Sequence, residues 1–247
     1  MLQQTIFKQP FSNPPMKVAL IAVFTALSLG TNYAMIDLWN IKLMDALIFI
    51  AAFLFGIRVG LGSAISTWIV YGFINPYGQA DPILLVFLIT GECFYAIAGT
   101  LVRRASVTRD LLSRGRSIHT EELSGMKAVA IRQSGRGFRK YSLGNYAQVI
   151  RIYFRRVYVA ILPYGRLSLI FGLIGFQATF AYDVLTNFGS WVFKTNSLYQ
   201  AFIIGNITGV PFAILHESSN IVFFAIVVPL AIATSHRAGL VVQDQAQ

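Results

Sequence analysis

Six apolar runs, separated by shorter polar segments, dominate the pattern along this chain. A helix that crosses the hydrocarbon core of a bilayer needs about 20 mainly apolar residues. By that measure the sequence predicts spanning helices at residues 17–36, 43–58, 60–75, 82–102, 160–187 and 209–234. The segment GIRVG at 56–60 predicts a tight hairpin turn between the two short runs that flank it, with Arg58 at the membrane interface. The pattern therefore predicts an all-α, polytopic membrane protein with six transmembrane helices.

The composition narrows the class of protein further. Hydrophobic residues make up 55% of the 247 residues and charged residues 12%, whereas about 25% of the residues are charged in a typical soluble domain. An ordinary soluble domain is therefore excluded, and we interpret residues 1–247 as a single membrane domain. The one cysteine, Cys93, cannot form an internal disulfide.

The distribution of charge predicts the topology. The segment 103–157 holds thirteen of the twenty Lys and Arg residues and three of the ten acidic residues, so its net charge equals the +10 of the whole chain. With a cytoplasmic N-terminus this insert, between helices four and five, lies inside, and among the cations only Lys42 and Lys194 lie outside. This arrangement satisfies the positive-inside rule. We therefore expect a multi-pass protein of the cell membrane with both termini in the cytoplasm. Three acidic residues then fall at outer helix ends: Asp37, Asp45 and Asp81.

The basic cytoplasmic insert at 103–157 has two parts. Residues 103–140 are rich in Arg, Ser and Gly with little hydrophobic periodicity, which predicts a loop that is partly disordered. Residues 145–160 have basic and apolar positions on different faces of a helix, as in an interfacial helix attracted to anionic lipid. This attraction to the lipid bilayer accounts for the charge, so we predict no nucleic-acid partner.

Polar residues interrupt three of the apolar runs. A polar group inside a membrane helix is costly unless it has a partner, so its usual place is a cavity between helices. The sequence YDVLTN closes the fifth run, HESSN lies within the sixth, and GECFY interrupts the fourth. We predict that these segments line one substrate site that opens outward. The predicted binding residues are Glu92, Tyr95, Tyr182, Asp183, Thr186, Asn187, His216, Glu217 and Asn220.

Known catalytic and metal-binding patterns are incomplete in this sequence. A HExxH zinc site needs a histidine at position 220, where the chain has Asn220. Neither a GxSxG nucleophile elbow nor a GxxxxGK[ST] phosphate loop occurs. We therefore predict a protein that is not an enzyme, with no catalytic residue, no metal and no cofactor. Any active transport would draw its energy from a partner or from an ion gradient.

Small residues form a stripe along one face of the first helix. Ala22, Ala26 and Gly30 are spaced four residues apart, and such stripes let two helices approach closely in lipid. Two interpretations remain open. The stripe packs against the other helices of this chain, or it is a docking face for a separate membrane subunit.

Several of these segments, taken in order, resemble the substrate-binding S components of energy-coupling factor (ECF) vitamin transporters. The resemblance covers nearly all of the membrane portion. It depends on the Ala22-xxx-Ala26 pattern, LMDA at 43–46, FGIRVG at 55–60, YDVLTN at 182–187, and GVPF at 209–212 leading to His216 and Asn220.

The resemblance implies a high-affinity vitamin-binding subunit that assembles with a transmembrane T subunit and two ATP-binding subunits. Members of this family are thought to topple within the membrane while their partners hydrolyse ATP. By this resemblance, Ala22 and Ala26 would face the T subunit, and the ligand would bind near the outer surface.

Two hypotheses about function follow from the sequence. In the first, an S component captures a vitamin. The acidic residues favour a cationic or hydrogen-bond-donating ligand such as thiamine, and riboflavin and cobalamin stay open. In the second, a stand-alone secondary transporter or channel uses Glu92, Asp183 and Glu217 as a proton or cation relay.

Overall fold

The described part of this chain folds into six helices. A computed structural model describes residues 13–76, 78–105 and 143–237, and for 143–164 and 236–237 it describes the backbone alone. All the regular elements within these ranges are helical. They are α1 Pro14–Ala34, α2 Met44–Phe55, α3 Ile57–Ile74, α4 Pro82–Arg104, α5 Leu143–Gly189 and α6 Leu198–Arg237. Five of the six contain a segment long and apolar enough to cross a membrane, and α2 is a shorter apolar helix. The architecture is that of an all-α, multi-pass membrane protein.

The predicted hairpin turn between the second and third helices is tighter than expected. The sequence predicted a turn over 56–60, but Gly56 alone separates the end of α2 from the start of α3. Gly56 has φ 94°, a conformation that glycine adopts readily and other residues avoid. A Cβ atom on Gly60 would overlap the side chain of Ala52, so the two helices are in close contact just beyond the turn.

Both long helices near the C-terminus begin earlier than predicted. Helix α5 begins at Leu143 rather than at residue 160, so the predicted interfacial helix at 145–160 is continuous with the fifth span. Helix α6 begins at Leu198 rather than at residue 209. The polar residues Asn206 and Thr208 lie within α6, where their side chains donate hydrogen bonds to carbonyls of their own helix, at 2.9 Å and 2.8 Å. The rest of the predicted insert, 106–142, lies outside the described residues.

The contacts between helices give their relative directions. Helices α1 and α3 run parallel, since Ile21 lies at Gly62 and the Tyr33 hydroxyl donates to the Ile74 carbonyl at 2.8 Å. Helices α5 and α6 form an antiparallel hairpin through the loop 190–197. The loops 35–43, 75–81 and 190–197 therefore lie at one end of the bundle, which we call the predicted outer end.

Helix α2 lies at the centre of the bundle and positions the site. From Met44 to Leu54, all its residues except Leu47 are buried, because α1, α3, α4 and α6 surround it. The Phe49 ring packs edge to face against Phe171 on α5 and Phe224 on α6, with ring centroids 5.8 Å and 5.1 Å apart. This apolar packing fixes the first turn of α2, where Asp45 is located.

Candidate functional site

His216 joins two aspartates from different helices at the centre of the candidate site. Its Nδ1 atom lies 2.8 Å from Asp183 Oδ1 on α5, and its Nε2 atom lies 2.6 Å from Asp45 Oδ2 on α2. Ionised carboxylate oxygens only accept hydrogen bonds, so the two contacts need two protons between them. With both protons on the imidazole ring, the three side chains carry one net negative charge. Helices α2, α5 and α6 are thus tied together at one buried point.

Asn220, one turn further along α6, extends this network towards α4. Its Nδ2 group lies within donating distance of Asp45 Oδ2 at 2.6 Å and Thr179 Oγ1 at 2.8 Å, with the Tyr95 hydroxyl at 3.4 Å. The Tyr95 hydroxyl in turn donates to Thr179 Oγ1 at 3.0 Å. Tyr95, Thr179 and Asn220 have no exposed surface. Side chains of α2, α4, α5 and α6 therefore meet in one network.

A third carboxylate, Glu92 on α4, lies beside this network. It is fully buried, and its Oε2 atom accepts a hydrogen bond of 3.0 Å from Trp68 Nε1 on α3. The structure therefore gathers three acidic side chains around one imidazole.

Tyr182 forms an aromatic wall of the site. Its ring lies 5.4 Å from the His216 ring at 78°, an edge-to-face contact, and 6.0 Å from the Tyr95 ring. Gly91 allows this placement, because a Cβ atom there would clash with the Tyr182 ring. We call the group Asp45, Glu92, Tyr95, Thr179, Tyr182, Asp183, His216 and Asn220 the acidic cluster.

Four oxygen atoms of the acidic cluster lack a donor among the described residues. Burying an acceptor without a hydrogen-bond partner costs about 1–3 kcal/mol, and more when the group is charged. The four atoms are Asp45 Oδ1, Glu92 Oε1, Asp183 Oδ2 and Asn220 Oδ1. The cluster therefore has an excess of hydrogen-bond acceptors, and its chemical complement is a cation or a molecule with several donors.

The structure brings together six of the nine residues that the sequence predicted. Glu92, Tyr95, Tyr182, Asp183, His216 and Asn220 belong to the acidic cluster.

The other three predicted residues lie outside the cluster. The Thr186 hydroxyl donates to the Tyr182 carbonyl of its own helix at 2.9 Å. The Asn187 side chain packs against Gly209, at the contact between α5 and α6. Glu217 is half-exposed, and none of the cluster's hydrogen bonds involves it.

Sequence reasoning missed three residues of this region. Asp45 was assigned to an outer helix end, yet it is 1% exposed and contacts both His216 and Asn220. A carboxylate in the first turn of so apolar a helix was a usable signal. The Trp68 indole and the Thr179 hydroxyl gave no such signal, because Trp is common in membrane helices and Thr often bonds to its own helix.

The small-residue stripe on α1 points away from the bundle. Ala22, Ala26 and Gly30 are all exposed, and a Cβ atom on Gly30 would meet nothing within 4 Å. The opposite face of α1 is the one that buries residues such as Phe24 and Asn32. Internal packing, one of the two interpretations of the stripe, is therefore wrong for these three residues within the described part of the chain.

The geometry of the cluster does not resemble a metal centre. Within the ranges that the structure describes, no group of three or more His, Cys, Asp or Glu side chains is placed to hold a metal ion. Both ring nitrogens of His216 are already in contact with carboxylates on opposite sides of the ring.

The fold and the cluster define the class as a multi-pass helical membrane protein with a buried acidic cluster. Comparison with known proteins gave no matching family model, no matching curated protein and no matching solved structure.

Proposed function

We propose that this chain is a membrane-embedded receptor for a small molecule, acting as the substrate-binding S component of an ECF-type importer. The observation that carries the proposal is the acidic cluster with its four buried acceptor oxygens. A bundle that needed only stability would place apolar side chains at these positions, because buried charged groups seldom stabilise more than a well-packed apolar core does.

The depth of the cluster supports a ligand site. Helix α4 begins ten residues before Glu92, and α5 ends six residues after Asp183. At 1.5 Å per residue, the cluster lies about 9–15 Å below these helix ends. Helix α2 begins at Met44, directly beside the cluster, so the loop 35–43 rather than a helix lies on that side. A molecule entering from the predicted outer end would meet this loop first.

The charge of the cluster favours a cationic or donor-rich ligand. Three carboxylates surround one imidazole, and the orphaned atoms are all acceptors. Among the vitamins that the resemblance suggests, thiamine carries a permanent positive charge, which riboflavin lacks. We therefore propose thiamine or a similar organic cation ahead of riboflavin and cobalamin.

The exposed stripe on α1 supports a partner in the membrane. Ala22, Ala26 and Gly30 offer a surface without bulky side chains, which suits close contact with another transmembrane helix. We propose that this face docks onto a T subunit, which is joined in turn to two ATP-binding subunits.

The test of binding uses the purified chain in lipid nanodiscs. We expect native mass spectrometry to detect a co-purified small molecule. After this molecule has been removed, we expect calorimetry to measure binding of thiamine to the protein. Asp183→Asn should weaken binding at least about tenfold, because an interaction with a buried charge is worth about 1.5–3 kcal/mol. Asp37→Asn is the matched control, since Asp37 is an exposed carboxylate at the same end of the bundle. Equal affinity of the Asp183 and Asp37 variants for thiamine would refute this ligand assignment.

A stand-alone secondary transporter is the second candidate. The observation that favours it is the continuous Asp45–His216–Asp183 contact, because a histidine between two carboxylates can pass a proton. Of the proposed relay residues Glu92, Asp183 and Glu217, only the first two belong to the cluster. Proteoliposomes that contain this chain alone would distinguish the candidates. Uptake of thiamine driven by a pH gradient, without ATP-binding subunits, would favour the secondary transporter and contradict the ECF-type importer.

A further inference from the structure

A lysine covers the indole ring that holds Glu92. Lys42 lies in the loop 35–43 two residues before α2, and it is half-exposed. Its Nζ atom is 5.1 Å from the centre of the Trp68 ring, and Trp68 is 2% exposed. The same indole donates through its edge to Glu92 Oε2. Trp68 therefore contacts an ammonium group on its face and a carboxylate at its edge.

This arrangement has the chemistry of an organic-cation site. A cation within about 6 Å of a tryptophan ring is attracted by the negative face of the ring, and the attraction is larger when the ring is shielded from water. The cluster behind Trp68 adds the unpartnered oxygens of Asp45 and Glu92. Trp68 and these carboxylates together suit a cation whose charge is spread over a broad surface.

We propose that Lys42 is a tethered competitor for this organic-cation site. Its ammonium group occupies the cation position over Trp68 when no ligand is bound, and an incoming organic cation displaces it. The proposal rests on the proposed function, since it assigns the substrate class of the same acidic cluster.

The loop geometry suits a side chain that moves while its backbone stays. The Asn40 Nδ2 group donates to the Phe212 carbonyl on α6 at 2.9 Å, which anchors the loop next to Lys42. Lysine has a flexible stem of four carbons, and the Lys42 side chain is half-exposed, so it can turn towards solvent. Displacement therefore needs rotation of one side chain and no rearrangement of helices.

The chain offers a matched control for this lysine. Lys194 lies over the ring of Trp191 at 5.7 Å, in a loop at the same end of the bundle. It forms the same type of contact, but Trp191 makes no hydrogen bond to Glu92 and is not part of the cluster.

The experiment uses Trp68 as its own reporter. The chain has three tryptophans, so Trp39→Phe and Trp191→Phe leave Trp68 as the single fluorophore and keep an aromatic ring beneath Lys194. The full chain in nanodiscs is titrated with tetramethylammonium chloride, with sodium chloride adjusted to hold the ionic strength constant. Lys42→Met should lower the half-saturating concentration about fivefold to thirtyfold, because a cation–π contact is worth about 1–2 kcal/mol at a shielded ring.

The controls separate charge from side-chain size. Lys42→Arg, which keeps a cation over the ring, should retain the half-saturating concentration of the parent, and so should Lys194→Met. The proposal is overturned if Lys42→Met binds tetramethylammonium no more tightly than the parent, or if Lys42→Arg binds as tightly as Lys42→Met. It is also overturned if Trp68 emission does not respond to tetramethylammonium in any variant.

Failure of this proposal can be told apart from failure of the receptor assignment. If Asp183→Asn weakens thiamine binding while Lys42→Met leaves the half-saturating concentration of tetramethylammonium unchanged, the receptor assignment is supported and the role of Lys42 as a competitor is refuted. If Lys42→Met lowers the half-saturating concentration of tetramethylammonium while thiamine does not bind, the cation site is supported and the vitamin assignment is refuted.

Discussion

Removing the His216 side chain should destabilise the fold by an amount that the structure allows to be worked out. In His216→Ala, Asp45 Oδ2 loses one of its two donors and Asp183 Oδ1 loses its donor. Removing one partner of a buried ion pair costs about 3–5 kcal/mol, because a charge is left without compensation. For a chain of this size about 2–4 °C of melting temperature corresponds to each kcal/mol, so we expect the melting temperature to fall by about 6–20 °C.

The assay is thermal unfolding in detergent followed by the helical circular dichroism signal. Thr208→Ala is the control on the same helix, because its exposed hydroxyl bonds only to carbonyls of α6. We expect it to change stability by less than about 0.5 kcal/mol.

A rescue variant separates the loss of pairing from the loss of packing. Adding Asp45→Asn and Asp183→Asn to His216→Ala removes both uncompensated charges while it keeps the cavity. We expect this triple variant to recover at least half of the lost melting temperature. If His216→Ala melts at the wild-type temperature, or if the triple variant melts no higher than the single variant, the pairing of His216 with two carboxylates does not stabilise the fold.

Two other variants test the turn and the exposed stripe. Gly56→Ala should lower stability by about 1 kcal/mol, because φ 94° disfavours a Cβ atom. Gly30→Ala should not lower it, since nothing lies within 4 Å of the added Cβ atom and alanine favours a helix. Equal melting temperatures of the two variants would argue against strain at Gly56. Ala22→Trp should leave ligand affinity intact and abolish uptake in cells that supply ATP-binding and T subunits. The control is Leu101→Trp on the exposed face of α4, and this variant should support normal uptake. Normal uptake by the Ala22 variant would exclude this face as the docking surface.

The all-helical, multi-pass character of the fold could be predicted from the sequence because apolar runs directly reflect the thickness of a bilayer, and five of the six predicted spans lie in described helices long and apolar enough to cross one. The first residues of α5 and α6 could not be predicted in the same way, because a helix continues wherever its hydrogen bonds are satisfied. Asn206 and Thr208 precede the apolar run, but their side chains bond back to α6 carbonyls and the helix continues through them. Polarity marked the end of the apolar run there and not the end of the helix.

The site was predictable on the helices that carry several of its polar residues. His216 and Asn220 lie four residues apart and share a helix face, so their common role could be inferred from spacing alone. Their partner Asp45 lies on a helix that is distant in sequence, and no periodicity reports a contact of this kind. Thr186 and Asn187 were predicted to bind the substrate, but they lie outside the cluster. A polar residue in a membrane helix can also form a hydrogen bond within its own helix or pack against a neighbouring helix.

The shortness of α2 has a consequence for how the protein is made. A helix of 12 residues that carries Asp45 is too short to cross a bilayer alone, and it is joined to α3 through Gly56 alone. The two helices are therefore expected to enter the membrane as one unit. This unit carries Asp45, and the insertion of an aspartate into a bilayer is unfavourable. The histidine that pairs with this aspartate is synthesised 171 residues later. The acidic cluster can thus form only after α6 has been inserted, so its assembly waits for a helix that is made long after α2.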